Sequence, residues 1–285
     1  MNYDDQDSAS PAAFGQRRTA SGCMGNPRLM MGLVMVVGYI VYYFVFTTTY
    51  QNEFTGRTQH LAMASAAEEV AMGLQSAPGM IQEFGGEKAD PAAQSRVTQV
   101  GMKLVNSSHA KDTEYQFQFH LLADPKTINA FALPGGQIFI TAALYNLLEN
   151  EDQLAGVLGH EIGHVVGRHS NQQMAKSDMI NGIARGAGVA MSDGHGNSSM
   201  QMAQMLGNLI NMKYGREDEN EADALGVKFL FAASYSPEAM IGVMEILEKN
   251  SGGGGQAEFT STHPNPGNRI EHIKAEIAKY RSGQK

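Results

Sequence analysis

His160, Glu161 and His164 are the residues whose types and spacing speak first of chemistry. On a helix, two histidines four apart project from one face about one turn from each other, so both imidazoles can reach a single metal ion. Zinc takes such nitrogens at about 2.0–2.1 Å. Glu161, next in line, is placed to serve as general base towards a zinc-bound water rather than as a ligand. Zinc lowers the pKa of that water to about 7, within reach of a carboxylate. An HExxH pattern arises by accident in about one chain in a hundred of this length, so the surroundings must support it.

They do. Leu154, Val157, Leu158, Ile162, Val165 and Val166 give the segment a broad apolar face, and Asn150 followed by Gln153 forms a capping-box pattern at its start. Gly156, Gly159, Gly163 and Gly167 each disfavour helix by about 1 kcal/mol relative to alanine. Four in one helix imply close approach by another backbone or by a substrate. A surface helix with two solvated histidines fits this context poorly.

A catalytic zinc site needs a third protein ligand and an open fourth position. The best supplier is the acidic run from Arg216 to Gly226, in which Glu219 and Asp223 share a helical face while Glu217 and Glu221 point elsewhere. Glu219 can bind the metal, and Asp223 can accept the free ring N–H of a zinc histidine. Taken alone, the same run equally suits a solvated helix start.

The elements that position these groups follow from patterning. Leu29 to Phe46 is eighteen residues without a charge, about 27 Å of helix and enough to cross a bilayer core. Tyr39, Tyr42, Tyr43 and Tyr50 gather near its far end, as interfacial rings do. A cleaved signal peptide would need a small-residue site close behind the apolar stretch; Thr47-Thr48-Thr49-Tyr50 follows instead. Arg17, Arg18 and Arg28 before the span, against Arg57 alone soon after it, predict a cytoplasmic N-terminus and an extracytoplasmic bulk. Residues 1–28 read as a disordered cytoplasmic tail, 29–46 as a transmembrane anchor and 51–285 as one folded domain.

Within that domain a helix is predicted from about Thr58 to a stop at Gly85-Gly86, and another from Pro91. Tyr115–Leu122 and Ile138–Thr141 read as strands, giving a mostly helical α+β fold with a small sheet. Gly252–Gly255 and Ser192–Ser199 read as loops. Met174, Met179, Met191, Met200, Met202, Met205 and Met212 fit core packing better than an adaptable cover over a cleft. His60, His120, His169, His195 and His272 read as solvated. The composition excludes several classes: a net charge of −8 over 285 residues argues against nucleic acid, and a single cysteine, Cys23, against a disulfide framework.

Asn129-Ala130-Phe131-Ala132-Leu133-Pro134-Gly135-Gly136, then HEIGHVVGRH at 160–169, then ENEAD at 219–223, resemble in the same order the HtpX and CAAX prenyl protease family of zinc metallopeptidases. The membrane-anchored branch, related to the mitochondrial overlapping-activity protease and periplasmic quality-control proteases, is most similar. The resemblance, over about residues 65–280, implies a zincin-like gluzincin domain with one zinc per chain, His160, His164 and Glu219 as ligands, Glu161 as base and Asp223 behind a ligand. It also implies that the strand Gln137–Thr141 is the sheet edge bordering the cleft, where an extended or unfolded polypeptide adds as a further strand. His263 and Arg269 resemble the family's late His-Pro…Arg element. His263 would then stabilise the oxyanion or occupy the open zinc position, and Arg269 would orient a cleft carboxylate or stabilise developing charge; a structural turn before the last helix is the other reading of both.

The function implied is that of a membrane-anchored zinc endopeptidase clearing misfolded or unassembled proteins outside the cytoplasm, in the bacterial periplasm, as a possible homo-oligomer. A chaperone-like envelope assembly factor with a latent zinc site is the alternative. A cell-wall hydrolase is a third reading, disfavoured by the absence of tryptophan for glycan stacking.

Overall fold

A computed structural model describes residues 27–191, 212–251, 258–263 and 269–283. The readings of the tail, of Cys23, of the loops at 192–199 and 252–255, and of Met200, Met202, Met205 and His195 lie outside these residues.

The first helix, α1 (Pro27–Phe46), carries the apolar span, with a mean hydropathy of 2.2 over Leu29–Phe46 and most of its large side chains exposed. It runs straight into an antiparallel hairpin, β1 (Thr48–Gln51) and β2 (Thr58–Leu61), with Thr48 opposite Leu61. One expectation changes here. The helix predicted from Thr58 begins only at α2 (Ala66–Glu83), with the hairpin strands ahead of it. The β-branched Thr47–Thr49 run favours strand over helix, and Gly56, at φ +71°, makes the turn between the strands. Ser65 then caps α2 through the Glu68 N–H, and the Glu68 carboxylate accepts from the Ser65 N–H.

Helix α3 (Pro91–Ser107) starts where predicted, with Asp90 accepting from the Ala93 N–H. The sheet has three strands: β3 (Gln118–Leu122), β4 (Ala130–Ala132) and β5 (Gln137–Thr141). Their order is β3-β5-β4, with β5 parallel to β3 and antiparallel to β4. Gln137–Thr141 is therefore the central strand and not the edge. Pro134-Gly135-Gly136 folds the chain back so that β5 pairs on both sides, and all five of its residues are buried, as a middle strand requires. The sheet edge on the side of the metal-site helix is β4.

Side chains alternate across this sheet. Ile138, Ile140, Ala130 and Leu121 join the main core, whereas Phe139, Phe131, Leu133 and Leu122 pack against Ala77, Met80 and Phe84 of the α2 side. Met174 and Met212 pack against that second cluster, the core role predicted for them. Beyond the sheet come α4 (Ala142–Leu147), α5 (Glu151–Val166), α6 (His169–Met191), α7 (Arg216–Ala232), α8 (Ala239–Ser251), α9 (Glu258–Thr262) and α10 (Arg269–Arg281). Helix α6 leaves the hairpin beside α1 and runs back along it, bringing Gly182 against the Tyr39 ring.

Candidate metal centre

Asn150 caps helix α5 as the sequence predicts, its Oδ1 accepting from the Gln153 N–H, but the predicted box does not close on Asn150: the Gln153 side chain accepts instead from the N–H of Glu149. Its glycines do what four helix-weakening residues imply. A Cβ on Gly163 would come within 2.9 Å of the Ala222 carbonyl oxygen, and one on Gly226 within 3.3 Å of the His160 backbone nitrogen. Backbones of α5 and α7 thus touch, which sets the face carrying His160 and His164 against the face carrying Glu219 and Asp223.

The result is a convergent donor set. The Nε2 atoms of His160 and His164 are 3.0 Å apart. Glu219 Oε2 lies 3.6 Å from the former and Oε1 3.6 Å from the latter. His263, at the end of α9, faces the same point, its Nε2 3.7 Å from Glu161 Oε1. Ligand atoms sharing a tetrahedral ion at about 2.0–2.1 Å sit about 3.3–3.4 Å from one another, so these separations fit one ion held between them.

Burial sharpens the test. His160, Glu161, His164, Glu219 and His263 are all at most 3% exposed. Among the described residues, both Glu161 oxygens, Glu219 Oε1 and His263 Nε2 have no hydrogen-bond partner. A buried polar atom left unpaired costs about 1–3 kcal/mol, more when charged. Several of them facing one point are accounted for by a cation there. Burial also pushes the His160, His164 and His263 imidazoles below their ordinary range, leaving them neutral as ligation requires. It pushes the Glu161 carboxyl up to about 8, against a partial opposing pull from Arg269, and raises Glu219 well above the usual carboxylate range.

Behind this set, His160 Nδ1 lies 2.9 Å from Asp223 Oδ1. Arg269 grips Asp223 with Nε at 2.8 Å and Nη2 at 2.6 Å, and sets Nη1 2.8 Å from Glu219 Oε2. Burial alone would raise the Asp223 carboxyl, yet Arg269 and His160 hold it well below the usual range. Arg269 thus pairs with both buried carboxylates, Asp223 and Glu219.

Other groups escaped the sequence. His169 is not solvated but fully buried against His164, and Glu221, read as pointing away, faces it. Tyr214 stacks on the His164 ring at 4.0 Å, its hydroxyl hydrogen-bonded to Ser170. His120 lies between Glu87 and Gln137 and stacks on Phe139. The HEIGHVVGRH string did hold the signal for His169. Helix α5 ends at Gly167-Arg168, with Arg168 at φ +55°, so the chain turns and points His169 back at His164, five residues earlier.

Residues 91–277 match the signature of peptidase family M48, and the chain belongs to that family. It is 32% identical over 180 residues to the mitochondrial metalloendopeptidase OMA1 of Schizosaccharomyces pombe, covering 62% of this chain and 51% of that one. It is 32% identical over 192 residues to the β-barrel assembly-enhancing protease of Escherichia coli K12, covering 64% and 38%. Against the metalloprotease YcaL of the same strain it is 30% identical over 187 residues, covering 64% and 69%. The chain thus spans about half or less of the length of the first two.

Proposed function

We propose that this protein is a membrane-anchored zinc endopeptidase that cuts extended, unfolded or unassembled polypeptides outside the cytoplasm. The observation carrying this reading is the buried donor set of His160, His164 and Glu219 with the unpaired Glu161 carboxylate beside it. Two imidazoles and a carboxylate suit zinc, which when bound polarises the scissile carbonyl and acidifies water. Glu161 takes the proton of the attacking water and passes it to the leaving amine nitrogen. Asp223 and Arg269 hold the first imidazole and Glu219 in place. The substrate adds as a strand to the β4 edge rather than to β5, so that main-chain pairing, indifferent to side-chain identity, selects unfolded chain. α1 supplies the anchor, and the arginines before it support a cytoplasmic N-terminus with the catalytic domain outside the cytoplasm, in the bacterial periplasm. The endopeptidase and assembly-enhancing activities named for the relatives accord with a quality-control role.

His263 favours a second reading. Its Nε2 faces the donor set unpaired, so it can complete a four-ligand zinc site and leave the protein latent, holding clients rather than cutting them. Zinc content and casein cleavage of the full chain in detergent, wild type beside Glu161→Gln and His263→Ala, decide between them. We expect one zinc in each and cleavage lost by about 10²–10⁴-fold in Glu161→Gln. Cleavage that rises in His263→Ala would establish latency; a wild type without zinc would end both readings.

A further inference from the structure

Among the described residues, the first zinc-site imidazole has an evident support in Asp223 and Arg269, whereas His164 is backed by no carboxylate. What backs it is a chain of side chains reaching the hairpin next to the anchor. His164 Nδ1 lies 2.9 Å from His169 Nδ1, and His169 Nε2 lies 3.1 Å from Glu221 Oε2. Glu221 Oε1 in turn lies 3.4 Å from Nε of Arg57, in the turn between β1 and β2. We propose that His169, Glu221 and Arg57 are positioning residues for the metal ligand His164, making the juxtamembrane hairpin a structural part of the metal centre.

The proton assignment is self-consistent. With His164 ligating through Nε2, its Nδ1 must carry the hydrogen and donate it. His169 Nδ1 then accepts, which puts the His169 hydrogen on Nε2, where it donates to the Glu221 carboxylate. Each ring nitrogen has one role and none conflicts. A ligand imidazole whose far nitrogen is fixed in this way keeps its tautomer and ring orientation, and loss of such a partner typically weakens metal binding about 10–100-fold.

The hairpin holds this chain at several points. Arg57 Nη2 donates to Asp218 at 2.5 Å and to Gln172 at 2.8 Å. Asn52 donates to the Val166 carbonyl at 2.9 Å and Gln59 to the Gly167 carbonyl at 2.7 Å, satisfying the end of α5. Tyr50 stacks on Arg168, 4.5 Å from its ring, at the left-handed residue that turns His169 back. His169, Asp218 and Glu221 place ligand atoms within 4.8 Å of one another, as a second cation site would. The Arg57 guanidinium already lies between the two carboxylates, however, so that cluster is balanced by an arginine and reads as support.

The inference rests on the zinc reading above, and its test separates the two. Full-length protein in detergent is compared as wild type, His169→Leu, His169→Asn and Arg57→Ala, reading zinc affinity by chelator competition, the visible spectrum of the cobalt-substituted form, and the melting temperature of each metal-free protein. His169→Leu is expected to weaken zinc about 10–100-fold and to shift the cobalt bands. His169→Asn, which keeps an acceptor facing His164, should recover most of the affinity, and Arg57→Ala should lose a smaller part. Wild-type affinity and spectrum in a folded His169→Leu, or equal losses in the Leu and Asn variants, overturn the proposal. Should His169→Leu not fold, Arg57→Ala decides alone, since Arg57 is partly exposed: unchanged affinity overturns it. A wild type that takes no zinc refutes the function first.

Discussion

Arg269 is a fully buried guanidinium whose partners, Asp223 and Glu219, are equally buried. Removing one member of such a group leaves the others charged, unsolvated and unpaired. Arg269→Met is therefore expected to destabilise the fold by about 3–5 kcal/mol in urea unfolding, far beyond its loss of packing. Asp223→Asn keeps shape but not charge, and should weaken zinc about 10–100-fold through His160 while cutting stability as well. At this scale the sequence was readable wherever partners lie within a turn or two. The i, i+4 spacing of the histidines and of Glu219 and Asp223 states a shared face directly. His169 was not readable, because its orientation depends on a left-handed Arg168, and that residue is held by Glu69 and Tyr50, more than ninety residues away in the chain.

Element packing has its own sensitive point where α5 meets α7. In an exposed helix Gly163→Ala would gain about 1 kcal/mol from propensity. Here the added methyl meets the Ala222 backbone, 2.9 Å from its oxygen and 3.0 Å from its Cα, and neither can rotate away. Overpacking of this kind costs about 1–3 kcal/mol, so the expected net change is destabilising, with weaker zinc binding because the ligand-bearing faces are pushed apart. Urea unfolding and chelator competition on the same sample check both parts. The hairpin and the strand order show why element reading fell short: Thr58–Leu61 is too brief to reveal a period, and the place of Gln137–Thr141 in its sheet depends on β3 and β4 together. Capped helices such as α3 and α5 announce themselves locally, so they were found.

For the molecule as a whole, metal and fold should be coupled, since the site draws buried ligands from α5 and α7, with His263 facing it from the end of α9. Zinc at a hundred times its dissociation constant stabilises by about 2.7 kcal/mol, which for a domain of this size is about 5–10 °C in melting temperature. Treatment with a chelator should lower the melting temperature by that amount and zinc should restore it; an unchanged value would mean that the folded protein binds no zinc in preference to the unfolded chain. Helix α6 also sets a distance. Gly182, which meets Tyr39, is roughly 20 Å along α6 from His169, whereas Tyr39 is only roughly 10 Å along α1 from Phe46. The difference sets a height: with α1 in a bilayer and α6 alongside it, His169 and His164 stand roughly 10 Å past the end of the apolar span. An extended chain covers that gap in about three residues. Under the function proposed above, that reach favours segments lying almost flush with the membrane over polypeptide free in solution.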